Sequence, residues 1–150
     1  IYLCLPLIFL YNIRMSNSGL DIILWFLLIV WLTDIFSYIC GTYIGGKKLI
    51  LFLSPNKTWS GFIGGILIAT IFSGIYFYIN DYKVLNGFLY GLILSLFTQI
   101  GDLFESWIKR KHLVKDSGKL IPGHGGFLDR IDGLLLSSIL LYTGYIFYGI

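Results

Sequence analysis

Apolar residues dominate the chain in long runs rather than in alternation. After a short apolar start, runs at 20–44, 61–79, 85–103 and 133–150 follow one another. A bilayer core of ~30 Å needs about 20 apolar residues in a helix. Only helices or closed barrels satisfy their backbone groups in lipid, and the missing two-residue alternation excludes a barrel. The pattern therefore predicts an all-α fold, a polytopic transmembrane helix bundle. It predicts one membrane domain over residues 1–150 with about five membrane segments, the first partial. Residues 1–13 are apolar without the basic start of a signal peptide. They read as the end of a helix that begins upstream, so the chain is expected to be the C-terminal portion of something longer. Short polar turns fall at 14–19 and 80–83, and longer polar segments at 45–60 and 105–132.

Composition supports the same class. The chain is 57% hydrophobic and 13% charged, with a mean hydropathy of +0.82. A soluble domain carries about 25% charged residues. Too few polar side chains remain to cover a water-exposed surface. That excludes a secreted disulfide scaffold, a disordered chain and a soluble nucleic-acid binder, and no nucleic-acid partner is expected. Cys4 and Cys40 lie far apart in apolar segments and fit no disulfide framework or metal spacing. Of the 11 basic residues, Lys47, Lys48, Lys57, Lys109, Arg110, Lys111, Lys115, Lys119 and Arg130 occupy the two long polar segments. Arg14 and Lys83 occupy the short turns. The positive-inside rule places both long segments on the cytoplasmic face. Glycine is abundant, 18 of 150. Gly61, Gly64 and Gly65, and Gly87 with Gly91, recur at helical spacing and predict close helix packing.

Ionisable residues at membrane depth are functional candidates. Asp34 follows a long apolar run; it could serve a site or partner a lysine structurally. Asp102, Glu105, Ser106 and Lys109 are three and four apart, so they share one helix face near the membrane surface. The alternative there is a solvated helix end with ordinary ion pairs. The segment 115–132 joins a glycine-rich stretch (Gly123, Gly125, Gly126) to Asp129 and Asp132, three apart, so both carboxylates can face one ion. Carboxylates with open positions suit Mg²⁺ and its substrate phosphates, and the surrounding lysines and arginine suit polyphosphate. Together these features outline a phosphoryl or nucleotidyl transfer site.

Ser106-Trp-Ile-Lys-Arg, Lys115-Asp-Ser-Gly and Ile121-Pro-Gly-His-Gly-Gly-Phe-Leu-Asp-Arg-Ile-Asp132 stand in fixed order and spacing. The arrangement closely resembles the signature of the phosphatidate cytidylyltransferase, or CDP-diacylglycerol synthase, family. Gly101-Asp102-Leu-Phe-Glu105, the segment Ser54-Pro-Asn-Lys-Thr-Trp-Ser-Gly61, and Asp34, Tyr38, Gly41 and Gly45-Gly46-Lys47 are also similar to that family. The resemblance runs from about Thr33 to Gly133. Ser60 departs from it, since relatives more often carry Glu or Gln there.

The resemblance implies a membrane nucleotidyltransferase of phospholipid biosynthesis. It would make CDP-diacylglycerol and pyrophosphate from CTP and phosphatidate with Mg²⁺, and a K⁺ ion is implied beside the Mg²⁺. Asp102, Lys109, Asp129 and Asp132 are then the expected catalytic residues, with the metal on Asp102 and Asp129 and Asp132 close to it. Asp34, Lys57, Ser106, Arg110, Lys115, His124, Gly125, Gly126 and Arg130 are expected to bind substrate. A homodimer is expected, and a bacterial inner membrane location with the site facing the cytoplasm. Two rival readings are an ion transporter and a non-catalytic membrane subunit. An ion transporter predicts polar residues through the outer halves of the helices, and those halves are apolar. A non-catalytic membrane subunit predicts loss of some carboxylates or lysines of the signature, and none is missing.

Overall fold

A computed structural model describes residues 4–50, 53–112 and 131–148. It contains five helices among the described residues: α1 (Cys4–Arg14), α2 (Gly19–Tyr43), α3 (Trp59–Ile79), α4 (Val84–Lys111) and α5 (Asp132–Tyr148). Between α2 and α3 lies a small antiparallel hairpin of β1 (Lys48–Ile50) and β2 (Ser54–Thr58). The all-α membrane bundle expected from the apolar runs is therefore observed. The hairpin was not expected inside the 45–60 segment.

Helices α2, α3 and α4 have 25, 21 and 28 residues and are long and apolar enough to cross a membrane. At 1.5 Å per residue each exceeds about 30 Å, the hydrocarbon thickness. Each presents large apolar side chains outward along one stripe. On α2 these are Leu20, Leu24, Leu28, Trp31 and Ile35, and on α3 they are Ile63, Leu67, Ile71 and Ile75. The opposite stripe of α2, with Trp25, Phe26, Ile29 and Thr33, is buried among the other helices. A helix apolar on both faces suits a bundle surrounded by lipid. Exposed Tyr43, Trp59 and Trp107 at one end and Tyr78 and Tyr82 at the other match the aromatic belts of the two interfaces. The chain is a membrane protein.

Small residues set the helix spacing. A Cβ at Gly61 would lie 2.5 Å from Ser37 O, and one at Gly91 would lie 2.6 Å from Ser73 Cβ. The glycines at 61, 64 and 65 therefore let α3 press on α2, and those at 87 and 91 let α4 press on α3, as their spacing predicts. Buried hydroxyls in these seams bond to backbone carbonyls. Ser73 Oγ donates to Gly87 O across the α3–α4 contact at 2.6 Å, and Thr98 Oγ1 donates to Leu94 O at 2.9 Å. In lipid such bonds replace the water these groups would otherwise need.

The polar connection from α2 to α3 is ordered by local chemistry. Gly45 and Gly46 have φ of 65° and 104°, the left-handed values that end a helix and that only glycine adopts without strain. The chain then turns back as the hairpin, paired Lys48 with Thr58 and Ile50 with Ser54. Thr58 caps α3, accepting from Gly61 N at 3.2 Å. The helix thus begins at Trp59, two residues before the apolar run. Ser60 Oγ bonds to Gly45 O and to Thr58 Oγ1 and ties the two ends of the connection together.

Candidate active site

Helices α2 to α5 run up and down in sequence, so the end of α2, the start of α3, the end of α4 and the start of α5 gather at one end of the bundle. An open cavity of about 740 Å³ lies there. Four of its walls carry ionisable groups far apart in sequence: Asp34 on α2, Lys57 on β2, Asp102 on α4 and Asp132 on α5. Ser106, one turn beyond Asp102, also lines it.

Lys57 Nζ lies 2.8 Å from Asp102 Oδ2. This pair joins the two polar segments, 45 residues apart. The lysine side chain is 28% exposed and the aspartate 19%, so the pair is partly sheltered yet reachable from the cavity. Strand β2 explains the placement. Side chains alternate along a strand, so Lys57 and Thr58 take different directions: one reaches across to Asp102 while the other is buried as the cap of α3.

The two carboxylates of α4 and α5 are brought together by a reciprocal glycine contact. A Cβ at Gly133 would sit 2.6 Å from Asp102 Oδ1 and 3.0 Å from Thr98 O. A Cβ at Gly101 would sit 2.9 Å from Asp132 O and 3.1 Å from Gly133 Cα. Each aspartate thus stands beside the glycine of the other helix. Only with both glycines can the backbones approach this closely. Asp132 Oδ1 also accepts from Gly133 N at 2.9 Å, which steadies its carboxylate at the start of α5.

Gln99 organises the floor. Its Nε2 donates to Ser37 Oγ at 2.8 Å and to Phe62 O at 3.1 Å. One amide on α4 therefore clasps α2 and α3 directly below Asp102. Gln99, Ser37, Thr42 and Asn56 line the cavity without having been singled out as site residues. Their signals were available: Ser37 lies one turn from Asp34, Gln99 one turn before Asp102, and Asn56 beside Lys57.

The remaining expected residues divide in two. Lys109 pairs with Glu105 Oε1 at 3.6 Å, one turn on along α4, and both side chains are largely buried. Arg110 is exposed near the end of α4. Lys111 instead lies 5.3 Å from the centroid of the Trp107 ring. Lys115, His124, Gly125, Gly126, Asp129 and Arg130 lie outside the described residues. The expected metal set of Asp102, Asp129 and Asp132 includes one of these. Among the described residues no group of three His, Cys, Asp or Glu side chains could hold a metal ion.

Three carboxylates together with Lys48 and Lys57 line this one cavity at the end of the bundle, and the lysines suit a phosphorylated ligand. Comparison with known proteins gives the family. The chain is 47% identical over 127 residues to the phosphatidate cytidylyltransferase of Brucella abortus (strain 2308), covering 83% of this chain and 46% of that protein. It is 46% identical over 142 residues to the phosphatidate cytidylyltransferase of Staphylococcus aureus (strain N315), covering 93% of this chain and 54% of that one. The chain thus spans about half the length of the curated relatives it matches. The match to the family pattern covers residues 1–148, wider than the stretch from Thr33 to Gly133 that the motifs alone suggest. With the carboxylates and lysine of the cavity inside that span, the chain belongs to the Cytidylyltransferase family.

Proposed function

We propose that the protein forms CDP-diacylglycerol and pyrophosphate from CTP and phosphatidate at the cytoplasmic surface of a bacterial cell membrane. The observation that carries the reading is the Lys57–Asp102 pair inside a cavity it shares with Asp34 and Asp132. The relatives' names support the activity, and the cavity supplies groups suited to it.

In the proposed reaction a phosphate oxygen of phosphatidate attacks the α-phosphorus of CTP. A new P–O bond forms as the bond to the β-phosphate bridging oxygen breaks, and pyrophosphate leaves with that electron pair. The nucleophile is already ionised near neutral pH, so no strong general base is required. Alignment and charge neutralisation carry the step. Lys57 would leave Asp102 and contact a phosphate. Lys109, Arg110 and Lys115 would hold further phosphate oxygens of nucleotide and lipid. Ser106, in the cavity wall, would donate to one of them. Asp34 would keep a basic side chain or the nucleotide in place. The oxygen-only donors Asp102 and Asp132, joined by Asp129, fit Mg²⁺. When bound, that ion neutralises the triphosphate and acts as Lewis acid. The cavity's position has a physical reason: phosphatidate keeps its chains in lipid and its phosphate at the interface, while CTP arrives from water.

The test is incorporation of labelled CTP into lipid by the full-length protein, with and without Mg²⁺. Label on the α-phosphate should enter the lipid and label on the γ-phosphate should enter pyrophosphate. Transfer of the γ-label to lipid would show a kinase instead.

A further inference from the structure

Gln99 closes the floor of the cavity with an amide whose direction is fixed. Its Nε2 lies 3.1 Å from Phe62 O. A backbone carbonyl can only accept, so the nitrogen of the amide, and not its oxygen, faces α3. The same nitrogen gives its second proton to Ser37 Oγ at 2.8 Å. Both donors of the amide are then used, and its carbonyl oxygen Oε1 is left as an acceptor. Among the described residues none donates to Oε1. That oxygen is not sealed inside the bundle. Among the described residues, the side-chain atoms both buried and without a partner belong to Trp25, Thr70 and Glu105. Gln99 lines the cavity, so its oxygen is reached from there.

Ser37 supplies the complement. Its oxygen accepts from Gln99, and its own proton goes to no described residue. Ser37 also lines the cavity. The hydroxyl and Oε1 belong to one hydrogen-bonded unit, so the floor offers a donor beside an acceptor.

That pattern selects its occupant. Phosphate and ester oxygens only accept, so Oε1 opposes them. Cytosine carries a 4-amino donor next to the acceptor N3 and matches both groups. Uracil carries the reverse, a carbonyl where cytosine has its amine and an N–H at N3. The amide could meet uracil only by turning over. That would set Oε1 against Phe62 O, two acceptors in contact and unpaired, which is costly where Gln99 is otherwise buried. Two aromatic residues, Tyr38 and Phe62, line the same cavity. A flat base gains from stacking on such rings, and a phosphate does not. Resting on the reading that CTP is the nucleotide, we infer that Gln99 and Ser37 recognise its cytosine. Gln99 Oε1 accepts from the 4-amino group, and Ser37 Oγ donates to N3.

The full-length protein tests this with CTP, UTP and the triphosphate of pyrimidin-2-one riboside, which is CTP without the 4-amino group. The parent should favour CTP over each in kcat/KM by at least about tenfold, the effect of one unmatched hydrogen-bonding group. Gln99→Met keeps the side-chain length and removes the acceptor, and should bring CTP and the pyrimidinone nucleotide to near equality. The ratio is taken within one preparation, so any loss of folded protein cancels. Ser37→Ala leaves the bond from Gln99 to Phe62 O in place. It should raise KM for CTP about tenfold and lower kcat much less, because the base lies away from the reacting phosphorus. Three results overturn the inference while the activity stands: equal use of CTP and the pyrimidinone nucleotide by the parent, an unchanged preference in Gln99→Met, or an unchanged KM in Ser37→Ala. A changed Mg²⁺ dependence in Gln99→Met with its preference for CTP intact would assign Oε1 to a metal-bound water and overturn it too. A parent that puts no nucleotide into lipid overturns the proposed activity itself, and this recognition with it.

Discussion

Replacing Lys57 with methionine tests the centre of the active-site reading. The substitution keeps the length of the side chain and removes the ammonium 2.8 Å from Asp102 Oδ2. At an effective dielectric near 20, two unit charges at that distance attract by about 6 kcal/mol. Most of this is offset by desolvation. Exposed pairs contribute about 0–1 kcal/mol, and breaking a fully buried pair costs about 3–5 kcal/mol. With side chains 28% and 19% exposed, Lys57→Met should lower folding stability by about 1–3 kcal/mol. The effect on turnover should be larger, about 10²–10³-fold, because a charged donor to the reacting phosphates is lost from a sheltered site. In the proposed Mg²⁺-dependent reaction, the dependence of rate on Mg²⁺ distinguishes this from simple misfolding. Lys57 and the metal would compete for Asp102, so Lys57→Met should lower the Mg²⁺ concentration giving half-maximal rate while kcat falls. Lys57→Arg should recover part of kcat. The assay is initial rate of CTP incorporation against Mg²⁺ concentration, with thermal unfolding of the same preparations. Turnover within twofold of the parent would refute the phosphate contact. A raised Mg²⁺ requirement would refute the competition.

Three further outcomes are expected. Gly133→Ala places a methyl group 2.6 Å from Asp102 Oδ1 and should cut turnover at least about tenfold with a stability loss of about 1–3 kcal/mol; an unchanged rate would show that the Asp102–Asp132 spacing does not matter. Lys109→Ala should reduce turnover about 10²-fold, whereas Lys111→Ala, whose ammonium lies over Trp107, should reduce it little; equal losses would mean that general attraction of CTP to a basic surface is responsible. With Cys4 and Cys40 replaced by serine, single cysteines at Lys48 and His112 should react with an impermeant reagent from the same side of the membrane, and one at Asp81 from the other; labelling of the first two from opposite sides would overturn the arrangement of spans.

The membrane bundle was legible in the sequence because lipid imposes a strong, local rule. Long apolar runs must be helical wherever they sit, so residues 20–44, 61–79 and 85–103 needed no partner to announce α2, α3 and α4. The glycines of α3 and α4 were legible for a related reason: small residues at helical spacing have one common use in lipid, close packing. Candidate carboxylates stood out because a charge at membrane depth is costly and must be compensated. Tertiary structure alone decided which groups meet. No spacing rule links Lys57 to Asp102 across 45 residues, since the ion pair depends on a hairpin directing one side chain and on α4 reaching the same end of the bundle. The hairpin itself escaped a reading based on hydrophobic runs, because its strands are short and partly polar, and its shape follows from Gly45, Gly46 and the Thr58 cap. The contact of Gly101 with Asp132 and of Gly133 with Asp102 was equally hidden. Each glycine reads in sequence as an ordinary helix residue, and its role exists only when a second helix is packed against it.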